Sequence, residues 1–184
     1  MTVGDDVVLL LVNGKQETET MGGMPDENGM ATTEAVERKV WVYDGVRLET
    51  GGMTSEAALT AAAQKMVLAE IEKHDTSSAV NGFMLNGQRV WLDKATRVGL
   101  MNSTSIAKAM GKTTTTLWFG GMQIEVNCDK AIGLLSALEM YALECFNVTA
   151  AHKKAVAELN TVEEVLGYDY TKGYPEQLKM EVSL

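Results

Sequence analysis

The first 53 residues alternate short apolar runs with polar stretches. The run DVVLLLVNG ends at Asn13-Gly14, a dipeptide typical of tight turns, and it predicts a β-strand. RKVWVYDG, which ends at Asp44-Gly45, predicts a second strand for the same reason. Residues 15–37 between the two runs are rich in Gly, Thr and acidic side chains and predict a long loop. We therefore expect residues 1–53 to form a strand- and loop-rich N-terminal arm.

Residues 54–75 carry apolar side chains at helical spacing and predict a connecting helix. Thr54 or Ser55 can cap its first turn, and Lys73 and His74 suit the negative charge at its last turn. Its apolar stripe is rich in alanine and consists of Ala58, Leu59, Ala62, Met66, Ala69 and Ile71. Such a stripe packs either on the helix's own domain, which is the simpler interpretation, or in a seam between copies of the chain.

The middle of the chain predicts two β-hairpins with a helix between them. GFMLNGQRVWLD alternates about Asn86-Gly87, and TTTTLWFGGMQIEVN alternates about Gly120-Gly121. The spacing of apolar residues between these segments, in KATRVGLMNSTSIAKAMG, is helical. Because Trp91 and Trp118 each lie on a predicted hairpin arm, we expect both to pair across strands in the core.

The last third of the chain predicts a helical hairpin followed by an aromatic tail. CDKAIGLLSALEMYALECF is strongly amphipathic, and residues 147–149 interrupt its pattern. Thr149 is suited to cap a second helix that runs through AAHKKAVAELN. We expect Tyr168, Tyr170 and Tyr174 to hold the tail on the helices with their hydroxyl groups toward water. Stacking of these rings on a partner or a glycan is the alternative interpretation.

Together these elements predict an α+β protein. A strand-rich N-terminal arm (1–53) precedes a domain (54–184) in which a connecting helix leads to two β-hairpins packed on a C-terminal helical hairpin. The chain has 184 residues, enough for one ordinary domain or for an arm and a domain of roughly 100 residues. Apolar residues make up 46% of it, which suffices for a hydrophobic core.

Charge and cysteine content narrow the expected partners and compartment. The formal net charge of −9 repels nucleic acid and anionic membrane surfaces. No run approaches the about 18 consecutive apolar residues of a membrane span. Cys128 and Cys145 are too few for a disulfide framework and lie near the two ends of one predicted helix. We expect a soluble protein with reduced cysteines, assembled in a cytoplasm, with no nucleic-acid or membrane partner.

The segment LECFNVTAAHKKAV brings together the residue types of a thiol-protease site, Cys145, Asn147 and His152. A nucleophilic thiol needs an electropositive and partly exposed setting. Cys145 instead lies on the apolar stripe, near the negative C-terminal end of its predicted helix. We therefore interpret Cys145 and His152 as core residues at a helical corner. A cysteine hydrolase that acts on a host envelope is the least favoured function.

No other motif in the sequence assembles a catalytic or metal site. The two His and two Cys residues show none of the spacings that place metal ligands together. MGKTTTT matches the end of a phosphate-binding loop, but Ile106 stands where that loop requires a glycine. We expect a protein that is not an enzyme and that holds no cofactor or metal.

Residues of about 65–180 combine four features in a particular order. These are an NG...W hairpin, a tryptophan in the second hairpin, the pattern Tyr-Ala-x-x-Cys-x-Asn-x-Thr-x-x-His, and the end YDYTxGYP. In this order they resemble a small domain of unknown function from phages and prophages of gut bacteria. That domain recurs at the C-terminal end of tail-fibre proteins and of small proteins encoded beside them. The resemblance covers well over half of the chain.

The resemblance implies a structural or assembly role and carries no catalytic residues. We expect a virion or tail component that contacts other virion or tail proteins, is homo-oligomeric and is assembled in the host bacterial cytoplasm. A tail-fibre assembly chaperone is the alternative. A permanent subunit should bury an apolar surface. The residues expected to supply contacts are Ala58, Ala62, Met66, Ala69, Tyr168, Tyr170 and Tyr174.

Overall fold

The structure, a computed structural model, describes residues 6–21 and 36–182. The fold is α+β, as predicted, and the chain forms two compact units, Met1–Ala62 and Ala63–Leu184. The domain boundary predicted between residues 53 and 54 stays a prediction. In chain order the elements are β1 (Val7–Met21), β2 (Val36–Glu49), α1 (Glu56–Asp75), α2 (Ser78–Asn81), β3 (Phe83–Leu85), β4 (Gln88–Val90), α3 (Lys94–Ala109), β5 (Thr114–Phe119), β6 (Met122–Asn127), α4 (Cys128–Glu158), α5 (Val162–Leu166) and β7 (Lys179–Met180).

β1 and β2 pair as one long antiparallel hairpin in the first unit. Both strands continue through the dipeptides predicted as turns, Asn13-Gly14 and Asp44-Gly45, so that prediction is wrong. The physical reason is a β-bulge in β1, where the register shifts and Asn13 adopts a positive φ of 54°. The Asn13 side chain donates a hydrogen bond of 3.0 Å to Asp44 Oδ2, which joins the two dipeptides across the strands.

The long loop predicted for residues 15–37 is in part strand. β1 continues to Met21, and β2 begins at Val36. The threonines in this part of β1 favour a strand, and cross-strand pairing outweighs the polar composition. Residues 22–35, the remainder of the predicted loop, lie outside the described residues.

Both hairpins predicted in the second unit are confirmed. β3 and β4 turn at Asn86 and Gly87, whose φ angles of 48° and 79° suit a type I′ turn. Asn86 also binds the end of the chain, because Val182 N donates to its Oδ1 over 2.7 Å and its Nδ2 donates to Val182 O over 3.0 Å. β7 pairs in parallel with β3, and β5 and β6 turn at Gly120-Gly121.

α4 is one continuous helix of 31 residues, so the predicted helical hairpin with a corner at residues 147–149 is wrong. Asn, Val and Thr have low helix propensity, but burial outweighs it here. The buried stripe of α4 continues through this segment at Cys145, Thr149 and Val156. The Thr149 hydroxyl donates to Asp75 Oδ1 over 2.7 Å and is therefore not available to cap a helix.

The core of the second unit lies between α4 and the strands. Leu135 and Leu138 of α4 are buried in one cluster with residues of β3 to β7. In the same cluster the rings of Phe83 and Phe119 meet edge to face, with centroids 6.2 Å apart. α4 is therefore the helix on which both hairpins are assembled.

Trp91 and Trp118 are exposed, so the prediction of two core tryptophans is wrong. In β5 buried and exposed positions alternate, and Leu117 and Phe119 take the buried positions on either side of Trp118. Trp91 follows the end of β4 and likewise lies between two buried residues. Because side chains of an extended chain alternate between its two faces, both indole rings reach the surface.

α3 is present as predicted. Of the apolar residues whose spacing predicts it, Val98, Met101, Ile106 and Met110, only Met101 packs against the core. The apolar positions Val98, Ile106 and Met110 are exposed, and the helix buries Arg97 and Thr104. The spacing of apolar residues therefore identified the helix but not the face that packs on α4.

By length and composition alone, α4 could also cross a membrane. Of its most apolar window, 33% is buried within the chain. The buried residues include Leu135 and Leu138, which belong to the core of the second unit and so have a packing role. The expected lack of a membrane partner stays a prediction.

Leu135→Ala should lower the free energy of unfolding by about 3 kcal/mol, because it removes a buried side chain from the core. The matched control is Met140→Ala on the same helix, where the side chain is exposed and the change should stay within about 0.5 kcal/mol. Urea unfolding followed by circular dichroism measures both. Equal effects of the two substitutions would contradict the assignment of the buried face of α4.

Candidate functional site

The side chains of Cys145, Asn147 and His152 do not form a nucleophilic site. Cys145 is fully buried, and its thiol donates to the backbone oxygen of Val80 over 3.5 Å. Asn147 is exposed on α4. Both ring nitrogens of His152 are engaged, one with a tyrosine hydroxyl at 2.7 Å and the other with a backbone carbonyl at 2.9 Å. His152 therefore has no free nitrogen with which to take a proton from the thiol.

The surroundings of Cys145 also disfavour its thiolate form. Burial is the largest cause that raises the pKa of the Cys145 thiol, and the charges of Asp75 and Glu144 raise it further. Beside it, the Tyr141 hydroxyl donates to Val80 O over 2.9 Å, and burial raises the pKa of Tyr141 to about 12. A thiol that stays protonated at neutral pH is a poor nucleophile. The interpretation of Cys145 as a core residue is confirmed.

A chain of hydrogen bonds attaches the C-terminal tail to α4 and to the end of α1. The Thr149 hydroxyl donates to Asp75 Oδ1, so Tyr174 must donate the bond of 3.0 Å that joins its hydroxyl to Thr149 Oγ1. Burial is the main cause that raises the pKa of Tyr174. Tyr174 therefore stays protonated and keeps its role as donor well above neutral pH.

His152 forms the second attachment of the tail. Its Nε2 lies 2.9 Å from Lys172 O and must donate, because a carbonyl oxygen can only accept. In the neutral imidazole, Nδ1 then accepts from the Tyr168 hydroxyl at 2.7 Å. The rings of His152 and Tyr168 also meet edge to face, with centroids 5.6 Å apart.

The prediction that three tyrosines hold the tail is confirmed, but the predicted direction of their hydroxyl groups is wrong for two of them. Tyr168 and Tyr174 donate within the chain and not to water. Tyr170 packs its ring on His74, with centroids 5.7 Å apart. Buried or half-buried partners on α4, Thr149 and His152, give these two hydroxyls better-fixed bonds than solvent does. The role of the three tyrosines as contacts to a partner stays a prediction.

In the predicted alanine-rich stripe of α1, Ile71 is buried, and the other members lie to one side of the buried face of that helix. Ala58, Ala62 and Met66 are half-buried, and Ala69 is exposed. In the part of α1 that belongs to the second unit, the buried residues are Ala63, Val67 and Ile71. The stripe therefore remains partly accessible, and its role as an interface stays a prediction.

A groove of about 420 Å³ opens on the surface of the second unit. The apolar part of its wall is formed by Trp91 after β4 and by Leu143 and Phe146 on α4. Arg97 on α3 and Glu139 on α4 supply charged groups to the same groove, and Asp75, Asp93 and Lys94 also line it. Mostly apolar walls with a few placed polar groups are typical of a binding site.

Arg97 and Glu139 form an ion pair that connects α3 with α4. Arg97 is 8% exposed, and its Nε donates to Glu139 Oε1 over 2.9 Å. Its Nη1 donates to Leu92 O over 2.8 Å, so the guanidinium is also tied to the connection that follows β4. Removal of either charge would leave its partner uncompensated in a largely buried place. The ion pair therefore fixes the distance between the two helices that border the groove.

The outer face of α4, defined as Met140, Leu143 and Phe146, is apolar and exposed. The three side chains follow one another at i, i+3 spacing, which makes them neighbours on the helix surface. Adjoining exposed apolar side chains typically mark a surface that a partner covers. The site thus offers a partner an apolar ridge beside a groove that contains an ion pair.

The sequence analysis missed this site, although one signal for it was present. Leu143 and Phe146 lie off the i, i+3, i+4 stripe of α4, and large apolar residues off the buried stripe indicate a second, exposed apolar face. The ion pair of Arg97 and Glu139 had no comparable signal, because the two residues are 42 positions apart. Their proximity depends on how α3 packs on α4.

Among the residues that the structure describes, no group of three or more His, Cys, Asp or Glu side chains could hold a metal ion. His152 uses both ring nitrogens in the tail attachment, and Cys145 is buried. The sequence-based expectation of no metal and no cofactor stays a prediction.

Cys145 should react with a thiol reagent only on unfolding, because it is buried and its raised pKa keeps it protonated at neutral pH. In the variant Cys128→Ser, which leaves Cys145 as the one thiol, we expect labelling at least 100-fold slower than in urea. Adding Asn147→Cys to a Cys128→Ser/Cys145→Ser background supplies an exposed thiol as control. Rapid labelling of folded Cys145 at neutral pH would restore the nucleophile interpretation.

Thr149→Val should weaken the attachment of the tail, because it removes the hydroxyl that bonds Asp75 and Tyr174. We expect a loss of about 1–3 kcal/mol in the free energy of unfolding, since the Asp75 carboxylate loses a donor. Hydrogen–deuterium exchange of residues 168–178 should also become faster. Tyr174→Phe removes only one of the two bonds and should have the smaller effect. Unchanged exchange in Thr149→Val would show that the tail is held by other contacts.

The family model described as a domain of unknown function (DUF4376) matches residues 61–172. The match takes in most of α1, both hairpins of the second unit, α4 and most of the aromatic tail, which is more than half of the chain. It agrees with the predicted resemblance to a domain of unknown function over about residues 65–180. No curated protein and no solved structure matches the chain. On the extent of the family match, the chain belongs to the DUF4376 family.

Proposed function

We propose that this chain is a phage or prophage structural protein, a virion or tail component that acts by contact with other virion or tail proteins. The observation that carries the proposal is the outer face of α4, which leaves Met140, Leu143 and Phe146 exposed beside the groove. The phage context is supported by the order of motifs over residues of about 65–180, which resembles a domain that recurs in tail-fibre proteins.

A single contact through the outer face of α4 is weak, so this face is better suited to an assembly with many copies of the contact than to a complex of two molecules. The three side chains of the outer face are already about half covered, so burying the rest gains about 1 kcal/mol each. This sum of about 3 kcal/mol does not exceed the about 4 kcal/mol or more that association costs in translational and rotational freedom, so one such contact alone gives little affinity. Such contacts hold well when many copies act together, as in an assembled particle.

The groove adds selectivity to the apolar contact. A partner side chain that enters beside Trp91 and Phe146 must also match the charges of Arg97 and Glu139. Because the ion pair carries both signs, an unpaired charge of the partner would lie close to a group of like sign, which is unfavourable in a desolvated interface. An apolar or uncharged polar side chain of the partner satisfies both requirements.

The proposal includes the compartment and the other partners. The chain is homo-oligomeric, resides in the virion and is assembled in the host bacterial cytoplasm. The net charge of −9 supports protein partners over nucleic acid or anionic membrane.

The alternative function is a tail-fibre assembly chaperone, because a transient client could cover the same outer face. A chaperone binds one client at a time and therefore needs a stronger single contact than the outer face offers. A cysteine hydrolase has no support from the geometry of Cys145 and His152. The two remaining candidates differ in whether the chain stays in the finished particle.

Phe146→Ser should reduce incorporation of the chain into particles at least tenfold without loss of folding, because it removes the largest side chain of the outer face. Quantitative mass spectrometry of purified particles from the encoding phage or prophage measures the ratio of this chain to tail and capsid proteins. Ile106→Ser on α3 is the matched control, since Ile106 is 60% exposed and Phe146 is 59% exposed.

A fixed ratio for the unchanged chain, lost in Phe146→Ser and kept in Ile106→Ser, supports a structural subunit that uses the outer face. Presence in the lysate alone, with misassembled fibres after deletion, would instead make the chain a chaperone. Absence from particles without any assembly defect would overturn both functions.

A further inference from the structure

A second exposed apolar surface lies in the first unit, on the hairpin of β1 and β2. We define the aromatic face of the hairpin as Leu11, Trp41 and Tyr43, which are 57%, 60% and 47% exposed. The rings of Trp41 and Tyr43 stack, with centroids 6.3 Å apart and planes at 22°. Because the bulge lies in β1, the side chains of β2 alternate without interruption, and the odd-numbered residues from 39 to 49 share this face.

Two residues on the aromatic face, Gly14 and Gly45, have no side chain, and neighbouring side chains lie against their backbone. A Cβ at Gly14 would lie 2.5 Å from the Tyr43 ring, so this ring rests directly on the glycine backbone. Gly45 is the cross-strand partner of Leu11, and the Leu9 side chain lies against it, 3.1 Å from where a Cβ would stand. A face of this shape allows a second sheet to approach closely.

Both faces of the hairpin carry apolar side chains, and the aromatic face also carries the charges of Lys39, Arg47 and Glu49. Val8 and Leu48, which pair across the strands, are buried on the face opposite the aromatic one. Strands that are apolar on both faces are typical of sheets that are covered on both sides. In the described part of the chain, β1 and β2 have no third strand, and an isolated two-stranded sheet is only marginally stable in water. The aromatic face is therefore suited to being covered by a second sheet.

We propose that a second copy of this chain covers the aromatic face. The two hairpins stack face to face and are related by a two-fold axis. The axis passes β2 at the level of position 44, so that β2 of one copy runs antiparallel to β2 of the other. The axis places residues at equal distances from position 44 opposite each other. Lys39 of one copy then meets Glu49 of the other, and Trp41 meets Arg47. All four side chains are exposed in the single chain.

The charges on the aromatic face select this arrangement. The antiparallel stack forms two Lys39–Glu49 ion pairs, because every contact of a two-fold interface occurs twice. It also places the Arg47 guanidinium over the Trp41 indole, a favourable cation–π geometry. A parallel stack would instead bring Lys39 against Lys39 and Glu49 against Glu49, which is repulsive. Tyr43 meets Gly45 in the antiparallel stack, so the ring faces the Leu9 side chain that lies against this glycine.

This inference goes beyond the proposed function, because it states how copies of the chain join each other. The outer face of α4 joins the chain to other proteins and lies in the second unit, whereas the aromatic face lies in the first. Self-association can therefore be absent while the chain is still incorporated into particles through Phe146. Equally, the chain can self-associate without being incorporated.

Analytical ultracentrifugation of the full-length chain over a concentration series tests the proposal. We expect the unchanged chain to form dimers or multiples of dimers. Trp41→Lys should raise the dissociation constant about 100-fold, because it removes the ring and places a positive charge against Arg47 of the other copy. Ile106→Lys, which changes an equally exposed apolar side chain in the second unit, should leave self-association unchanged. Circular dichroism establishes that each variant is folded.

A charge exchange tests the two-fold register without removing any apolar group. Lys39→Glu and Glu49→Lys should each raise the dissociation constant about tenfold, because each places like charges opposite each other twice. The double variant Lys39→Glu/Glu49→Lys should return to within about threefold of the unchanged chain, since the ion pair is restored with reversed polarity. A monomeric unchanged chain, an odd-numbered oligomer, a Trp41→Lys variant that still dimerises, or a double variant that does not recover would each overturn the proposal.

Discussion

The second unit depends on one constraint, the uninterrupted buried stripe of α4. Leu135, Leu138 and Cys145 hold the two hairpins on the helix, and Thr149 extends the stripe to the C-terminal tail. A break at residues 147–149, which local propensity favours, would remove Thr149 and His152 from the helix that positions them. Their bonds to Asp75, Tyr174 and Lys172 O exist only because the helix continues.

The two sides of α4 have different roles. The inner side is buried and rigid, and the polar groups near it, Tyr141 and Cys145, are kept protonated by burial. The outer side presents Leu143 and Phe146 beside the groove, at a place where the ion pair of Arg97 and Glu139 fixes the distance between two helices. A rigid helix with an apolar outer face is suited to making the same contact in many copies, and this is the physical basis of the proposed structural role.

The sequence predicted those elements that local signals determine. The turns at Asn86-Gly87 and Gly120-Gly121 require specific backbone angles, and both were predicted correctly. Asn13-Gly14 carries the same signal but forms a bulge, because pairing with β2 extends past it. Local sequence cannot distinguish these outcomes, since the difference depends on the partner strand. The long helix α4 was predicted as two for the corresponding reason, because burial of Thr149 against α1 and the tail outweighs its propensity.

The candidate site was less accessible to sequence reasoning than the fold. Cys145, Asn147 and His152 are close in sequence, but their side chains have unrelated partners. Arg97 and Glu139 are far apart in sequence and form an ion pair. The most direct test of the account is hydroxyl-radical footprinting of the chain, free and in purified particles. The account predicts that Leu143 and Phe146 become several-fold protected in the particle while Ile106 keeps its labelling rate. Equal labelling of Phe146 in both states would contradict a structural role for the outer face of α4.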